Sequence, residues 1–336
     1  MEIKKNVSLK KYNSFGIDVL AKQFVSISNT EELKSVLKHH KSPYFIISGG
    51  SNMLLTKDVD ALVIHINSKG IQVENKENHS LVFAKAGENW HDFVQFCISK
   101  NLGGLENLSL IPGCVGSAPI QNIGAYGVEI KDTFVSCKAI EINSLEEIIF
   151  TNNDCKFGYR DSIFKNEVKG KYIITEVTFK LTNKTHQLKT SYGAIEDELD
   201  KNNISTPSIK EVANAVIAIR NSKLPNPKIL GNSGSFFKNP VISTRDFNRF
   251  INEFPEGPHY VLNQNEVKVP AGWLIDNAGL KGYQKGNAAV HDKQALVLVN
   301  KTGKATGKEI WDLALYVQST VKNKYNILLE PEVNLF

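Results

Sequence analysis

A chain of 336 residues, 41% hydrophobic and 22% charged, has the composition of a soluble globular protein and length enough for two or three packed units. Its net charge of +5 is mild and its 40 Lys and Arg residues are scattered, which suits a small anionic ligand and excludes the basic run of a nucleic-acid surface. The four cysteines, Cys97, Cys114, Cys137 and Cys155, form no C-x-x-C pair and have no histidine cluster beside them. That spacing argues against a metal site, gives no support to a disulfide framework, and fits free thiols in a reducing compartment. The opening residues, MEIKKNVSLKKYNSFGIDVL, are basic but lack the apolar core of a signal peptide, and runs such as ALVLV (295–299) are far below membrane-spanning length. The expectation is a cytoplasmic monomer with neither a nucleic-acid nor a membrane partner.

In chain order, AKQFVSIS (21–28), PYFIISGG (43–50), ALVIHI (61–66), SLVFAKAG (80–87), CKAIEI (137–142), EEIIF (146–150) and YIITEVTFKL (172–181) read as strands. Several are rich in β-branched residues and bounded by Gly, Asn or Asp. Two helices interrupt them. NTEELKSVLKHH sets Leu33, Val36 and Leu37 on one face. ENWHDFVQFCISK sets Trp90, Phe93, Val94, Cys97 and Ile98 at helical spacing before Gly103-Gly104 stops it. KNNISTPSIK (201–210) is a polar, proline-bearing connection. After it come a helix (EVANAVIAIRNSK), a strand (ALVLVN), a helix opening at Thr306-x-x-Glu309 with capping-box spacing, and a last strand, NILLEPEVNLF. The pattern is not a regular βαβ alternation and reads as α+β, in two parts with a boundary near residue 205 and a further division within the first part.

Two stretches are dense in small residues. SGGSNMLL (48–55) turns directly out of a strand, and IPGCVGSAPIQNIGAYG (111–127) carries four glycines and two prolines in seventeen residues. Backbone N–H groups in such loops converge into nests for phosphate oxygens, and glycine permits close backbone approach to a ligand. Tight turns are the other reading, and it stays open for the first stretch; the second is too long and too patterned for it. No G-x-G-x-x-G follows a strand, and no G-x-x-x-x-G-K-[ST] occurs anywhere; in GKATGKE (303–309) the glycines are too close together. A dinucleotide bound here is held by something other than a Rossmann turn. A third stretch, GNSGSFFKNP (231–240), fits neither helix nor strand periodicity. Ser235 within it is either a turn residue or a proton donor kept out of bulk water.

SGGSNMLL, IPGCVGSAPIQNIGAYG, CKFGYRDSIFK (155–165), GNSGSFFKNP and LLEPEV (328–333) occur in this order and at suitable separations. Together they closely resemble the UDP-N-acetylenolpyruvoylglucosamine reductase (MurB) family over essentially the whole chain. The resemblance implies an FAD-binding region of the vanillyl-alcohol-oxidase (PCMH) type in two α+β subdomains, 1–66 and 67–205. It also implies an α+β substrate-binding domain, 206–325, and a C-terminal strand, 326–336, with a catalytic glutamate. The implied reaction relays hydride from NADPH through non-covalent FAD to the terminal carbon of the enolpyruvyl ether of UDP-N-acetylglucosamine, yielding UDP-N-acetylmuramate for peptidoglycan synthesis.

By the same resemblance, residues 48–52 (Ser48, Gly49, Gly50, Ser51 and Asn52) cradle the FAD pyrophosphate, with Met53 beside them. In the second loop, Pro112, Gly113, Gly116, Ser117, Pro119 and Ile120 lie against the cofactor. So do Gln121, Asn122, Gly124, Ala125, Tyr126 and Gly127. Arg160 grips the substrate carboxylate as charge builds on it, its alternative being an ion pair with Asp161. Ser235 is the proton donor, Phe236 and Phe237 keep water from the carbanion, and Glu330 stabilises the enolate-like state, with Glu332 pointing the same way two residues on. Tyr159, Tyr192, Arg220, Lys223, Asn239, Tyr260, Lys281 and Gln294 match substrate contacts. Tyr192 and Tyr260 mark the form whose tyrosine-bearing loop covers bound substrate. A flavin oxidase or dehydrogenase on the same scaffold would have no use for GSFFKNP, or for Arg160 with Glu330. A non-catalytic sugar-nucleotide sensor would have lost all three reacting residues.

Overall fold

The computed structural model describes residues 2–40 and 43–336. Contacts group the chain into two units: Met1–Val7 with Ala21–Gly49 and Val59–Ser222, and Ser8–Leu20 with Gly50–Asp58 and Lys223–Phe336. No shift in composition announces that two short N-terminal stretches group with the C-terminal third.

The first unit holds two sheets. Leu20–Ile27, Val59–Ile66 and Tyr44–Ile47 pair in parallel, with Lys4–Ser8 at the edge. The parallel pairing requires a crossover, which the helix Thr30–His39 provides. That helix opens on Asn29, whose side chain accepts from Glu32 N, and it buries Leu33, Val36 and Leu37, the face its spacing predicts. The second sheet is antiparallel, in the order Glu147–Thr151, Phe134–Glu141, Tyr172–Thr182, His79–Lys85, Ile71–Asn75. The helix Trp90–Ser99 buries Trp90, Phe93, Val94 and Cys97. Its rings interlock with the central strand, Phe93 lying 5.0 Å and Trp90 6.0 Å from Phe179 between ring centroids. One apolar cluster lies against the antiparallel sheet, and a second joins the parallel sheet and its helix to Ile140 and Ile173 of the antiparallel strands. The helix Ile209–Lys223 closes this part of the chain.

In the second unit the strand Gly231–Ser235 pairs with Val297–Asn300, which pairs with Ala288–Val290 and through it with Gln284–Lys285. Val241–Ser243, Glu266–Lys268 and Tyr260–Val261 make a smaller sheet. The helix Gly307–Tyr325 begins with the expected capping box: Glu309 N donates to Thr306 Oγ1 at 3.2 Å and Thr306 N to Glu309 Oε2 at 2.7 Å.

Two sequence readings need correction here. GNSGS is a strand, despite lacking any apolar alternation, because its backbone is paired on one side with Val297–Asn300 and met on the other by residues 14 and 15. A Cβ at Gly231 would stand 2.1 Å from Phe15 O, so only glycine allows that approach. NILLEPEVNLF, conversely, is not one strand. It divides between two partners: residues 330–332 bridge the Phe237 segment about Pro331, whose missing N–H that bridge does not need, and Asn334–Leu335 pair in parallel with Met53–Leu54.

Candidate active site

In the first unit Gly49, at the start of the first glycine-rich loop, meets Gly113 of the second. A Cβ on Gly49 would lie 2.7 Å from Gly113 Cα, so these backbones touch where no side chain intervenes, and one on Gly116 would lie 2.5 Å from Ala86 Cβ. Gly116 N and Val115 N are bonded to Ala86 O and Glu88 O at 2.9 Å each, and Ser117 Oγ closes its own turn on Cys114 O at 2.8 Å. Cys114 lies against the Ser48 hydroxyl, and burial pushes its thiol up. Further on, Asn122 is fully buried with φ +43°. Its Nδ2 donates to Gly158 O at 2.9 Å and Glu129 Oε2 at 3.1 Å, which pins the loop to the turn bearing Tyr159 and Arg160.

Arg160 is the third residue of that turn, closed by Gly158 N to Asp161 O at 3.0 Å, and it sits at φ +55°, where a non-glycine backbone is strained by about 1 kcal/mol. Its Nη2 donates to Gly124 O at 2.7 Å, and its guanidinium lies 5.6 Å from the Tyr159 ring centroid. The Asp161 carboxylate accepts from Asn166 Nδ2 at 3.0 Å through both oxygens. Arg220, one turn from the end of the helix Ile209–Lys223, keeps some accessible surface while its guanidinium is deeply set. Its Nε has no hydrogen-bond partner among the described residues. Burial lowers its pKa; Tyr126 opposes that shift and the Arg160 charge adds to it. At the far end of the loop, Gly127 packs against Tyr192, a Cβ there lying 3.3 Å from that of Tyr192.

In the second unit, extended segments bring Ser235, Glu330, Asn52 and Met53 together. Lys238 N donates to Glu330 O at 2.9 Å and Glu332 N to Phe236 O at 2.8 Å, so the Ser235 and Glu330 segments run antiparallel in register. Asn52 Nδ2 reaches Glu332 O at 3.3 Å, and Asn334 Nδ2 reaches Asn52 O at 2.9 Å. Ser235 is exposed, while Phe236 and Phe237 are each 1% exposed, 5.1 Å apart, with Phe15 edge-on to Phe236 at 6.3 Å. The two rings therefore anchor the strand in the core and present the serine. Gly234, at φ +69°, sits in a bulge between Asn232 and Ser235 that re-aims it. Lys238, given no role by the sequence reading, holds its ammonium 3.8 Å from Glu330 Oε2; its position three residues after Ser235 was the only signal.

The remaining positions divide between the two ends of the helix Ala271–Asn277 and the surface. Asn239 Oδ1 accepts from Ala271 N at 3.0 Å, and Gln294 Oε1 would lie 3.2 Å from a Cβ on Gly272. Lys281 pairs with Asp276 at 2.8 Å near the other end. Lys223 ends its helix exposed, and Tyr260 is 55% exposed on a strand edge beside Val261 and Leu262. Among the described residues no group of three or more His, Cys, Asp or Glu is placed to hold a metal ion.

FAD brings a diphosphate, which calls for backbone that no side chain obstructs, and the meeting of Gly49 with Gly113, where a Cβ would not fit, leaves such a cradle. Residues 21–143 match the family model described as FAD binding domain. The fold and the paired loops thus define an FAD-binding oxidoreductase on an α+β scaffold. Residues 226–336 match the C-terminal domain model of UDP-N-acetylenolpyruvoylglucosamine reductase. The reductase of that name from Flavobacterium johnsoniae is 58% identical over 100% of both chains, and that from Chromobacterium violaceum is 45% identical over 99% of this chain and 98% of its own. The crystal structure of the Thermus caldophilus enzyme superposes with a TM-score of 0.70 at 24% identity, covering 100% of this chain and 99% of that one. The chain belongs to the UDP-N-acetylenolpyruvoylglucosamine reductase (MurB) family.

Proposed function

We propose that this chain reduces the enolpyruvyl ether of UDP-N-acetylglucosamine with NADPH and FAD, and that Arg160, Ser235 and Glu330 are its reacting groups. Family membership carries the activity. The residue assignment is supported chiefly by the paired backbone of the Ser235 and Glu330 segments, which sets a hydroxyl and a carboxylate on adjacent extended chains. Bound FAD supplies a two-electron carrier between NADPH and the terminal carbon of the enol ether. The chain's own part is to manage the charge that follows. Arg160 pairs with the substrate carboxylate as the electron pair moves toward it. Ser235 Oγ gives its proton to the adjacent carbon, acting within a polarised network because a lone serine hydroxyl is a weak acid. Glu330 hydrogen-bonds the enolate-like state. Residues 48–53 and 111–127 hold the cofactor, and Arg220, Lys223, Asn239, Lys281, Gln294, Tyr159 and Tyr192 bind the sugar nucleotide.

Purified protein is therefore yellow, and acid releases its chromophore as FAD. A colourless preparation that added FAD fails to reconstitute contradicts the assignment. The exposed strand edge at Tyr260 supports a loop that covers bound substrate. On this reading Tyr260→Ala raises the substrate KM by about tenfold, the scale of one well-placed aromatic contact, and leaves reduction of FAD by NADPH unchanged. Equal damage to both half-reactions would contradict that role.

The separate pairing of a parallel and an antiparallel sheet in the first unit supports subdomains dividing near residue 66. Among the described residues no helix is long and apolar enough to cross a membrane. We read the protein as a cytoplasmic monomer, and sedimentation at working concentration tests its oligomeric state.

A further inference from the structure

Residues 12–15 are wedged between two glycines of the second unit. A Cβ on Gly50 would stand 1.9 Å from Tyr12 O, and one on Gly231 would stand 2.1 Å from Phe15 O. Ser14 spans the wedge with its backbone: its N–H donates to Gly50 O at 3.0 Å and its carbonyl accepts from Asn232 N at 3.0 Å. The wedge is itself braced by buried Asn13, whose Nδ2 donates to Leu9 O at 2.8 Å and Ile17 O at 2.9 Å, and whose Oδ1 accepts from Ile17 N at 3.0 Å.

The hydroxyls add a second link. Ser233 Oγ stands 3.0 Å from Ser14 Oγ, a contact in which either hydroxyl can donate, and 3.3 Å from Met53 O. Ser14, Ser233 and the Met53 carbonyl thus form one hydrogen-bonded run. Ser233 is 7% exposed and stands two residues before Ser235, across Gly234 in its left-handed conformation. Glycine at that point leaves the bulge with little stiffness of its own. The Ser235 side of the bulge is held by the Phe236 and Phe237 rings and by Phe236 N donating to Leu296 O at 2.8 Å; its other side is held by the Ser233 hydroxyl, with Asn232 Oδ1 accepting from Gly234 N at 2.9 Å.

We propose that Ser14 is a positioning residue for Ser235: through Ser233 it sets where the proton-donating hydroxyl stands. This rests on the reading of Ser235 as the acid. Loss of the Ser14 hydroxyl leaves both of its backbone bonds in place, so the fold persists while the bulge loosens. Displacement of an acid by about 1 Å costs up to about 10²-fold.

The test is rapid mixing of the FAD-loaded enzyme, with the two half-reactions followed separately for Ser14→Ala, Ser14→Thr, Ser233→Ala and Ser235→Ala. Ser14→Ala reduces its FAD with NADPH at the parent rate. Its reoxidation by the enolpyruvyl substrate slows at least about tenfold, with a larger solvent deuterium isotope effect as proton delivery becomes limiting. Ser233→Ala repeats that result from the other end of the hydrogen-bonded run, and combining the two costs no more than either alone. Ser14→Thr, which keeps the hydroxyl on a partly accessible residue, restores the rate. If Ser235→Ala retains its substrate half-reaction, the acid reading falls and the positioning role with it. If Ser235→Ala collapses while Ser14→Ala reoxidises at the parent rate with an unchanged isotope effect, the positioning role alone is overturned. Equal slowing of both half-reactions in Ser14→Ala also overturns it.

Discussion

Ser235→Ala leaves reduction of FAD by NADPH close to the parent rate and slows reoxidation by the enolpyruvyl substrate about 10²- to 10⁴-fold, the range for loss of a positioned acid. The asymmetry follows from timing, because the proton is needed only once hydride has reached the substrate. The site supports this reading. Ser235 is exposed at a bulge with Phe236 and Phe237 buried beneath it, and the Glu330 segment is bonded alongside. Ser235→Cys retains more activity than Ser235→Ala, since a thiol donates a proton from nearly the same place. A structural turn serine predicts the reverse pattern: reduced stability and comparable losses in both half-reactions. Rapid mixing of the two variants separates these outcomes.

Arg160→Met slows the substrate half-reaction about 10²- to 10³-fold, the usual cost of removing one electrostatic contact to developing charge, and changes FAD reduction by no more than a few-fold. An arginine at φ +55° keeps a strain that glycine would relieve, held here by the closed turn from Gly158 to Asp161 and the bond to Gly124 O. Arg160→Lys recovers only part of the rate, because an ammonium lacks the planar fork that grips a carboxylate through two hydrogen bonds. Were the side chain needed only for its bond to Gly124 O, all three proteins would turn over alike and differ in thermal midpoint.

Much of the first unit was legible in the sequence, because its signals are local. Leu33, Val36 and Leu37 declare a helix face by spacing alone, as do Trp90, Phe93, Val94 and Cys97; in the second unit the Thr306-Glu309 box declares a helix start in the same local way. The strand Gly231–Ser235 was illegible for the opposite reason. Nothing in GNSGS prefers an extended backbone, and its pairing comes from residues 14–15 and Val297–Asn300, distant in sequence. The helix Thr244–Glu253 went unread although Phe247 and Phe250 share a face. The short helix Ala271–Asn277 has no N-cap side chain of its own and takes one from Asn239. The motifs of the candidate site could be read as loops with chemistry. Their meeting points could not: Gly49 on Gly113, and Lys238 beside Glu330, depend on backbone approaches that no local pattern encodes.

The central claim is tested most directly by a single anaerobic turnover. NADPH is mixed with the protein until the visible flavin band is bleached, and one equivalent of UDP-N-acetylglucosamine enolpyruvate is then added with oxygen excluded. The account predicts that the band returns within the mixing experiment and that one equivalent of UDP-N-acetylmuramate appears. A band that stays bleached until air is admitted, with peroxide formed and the enolpyruvyl ether intact, would contradict it.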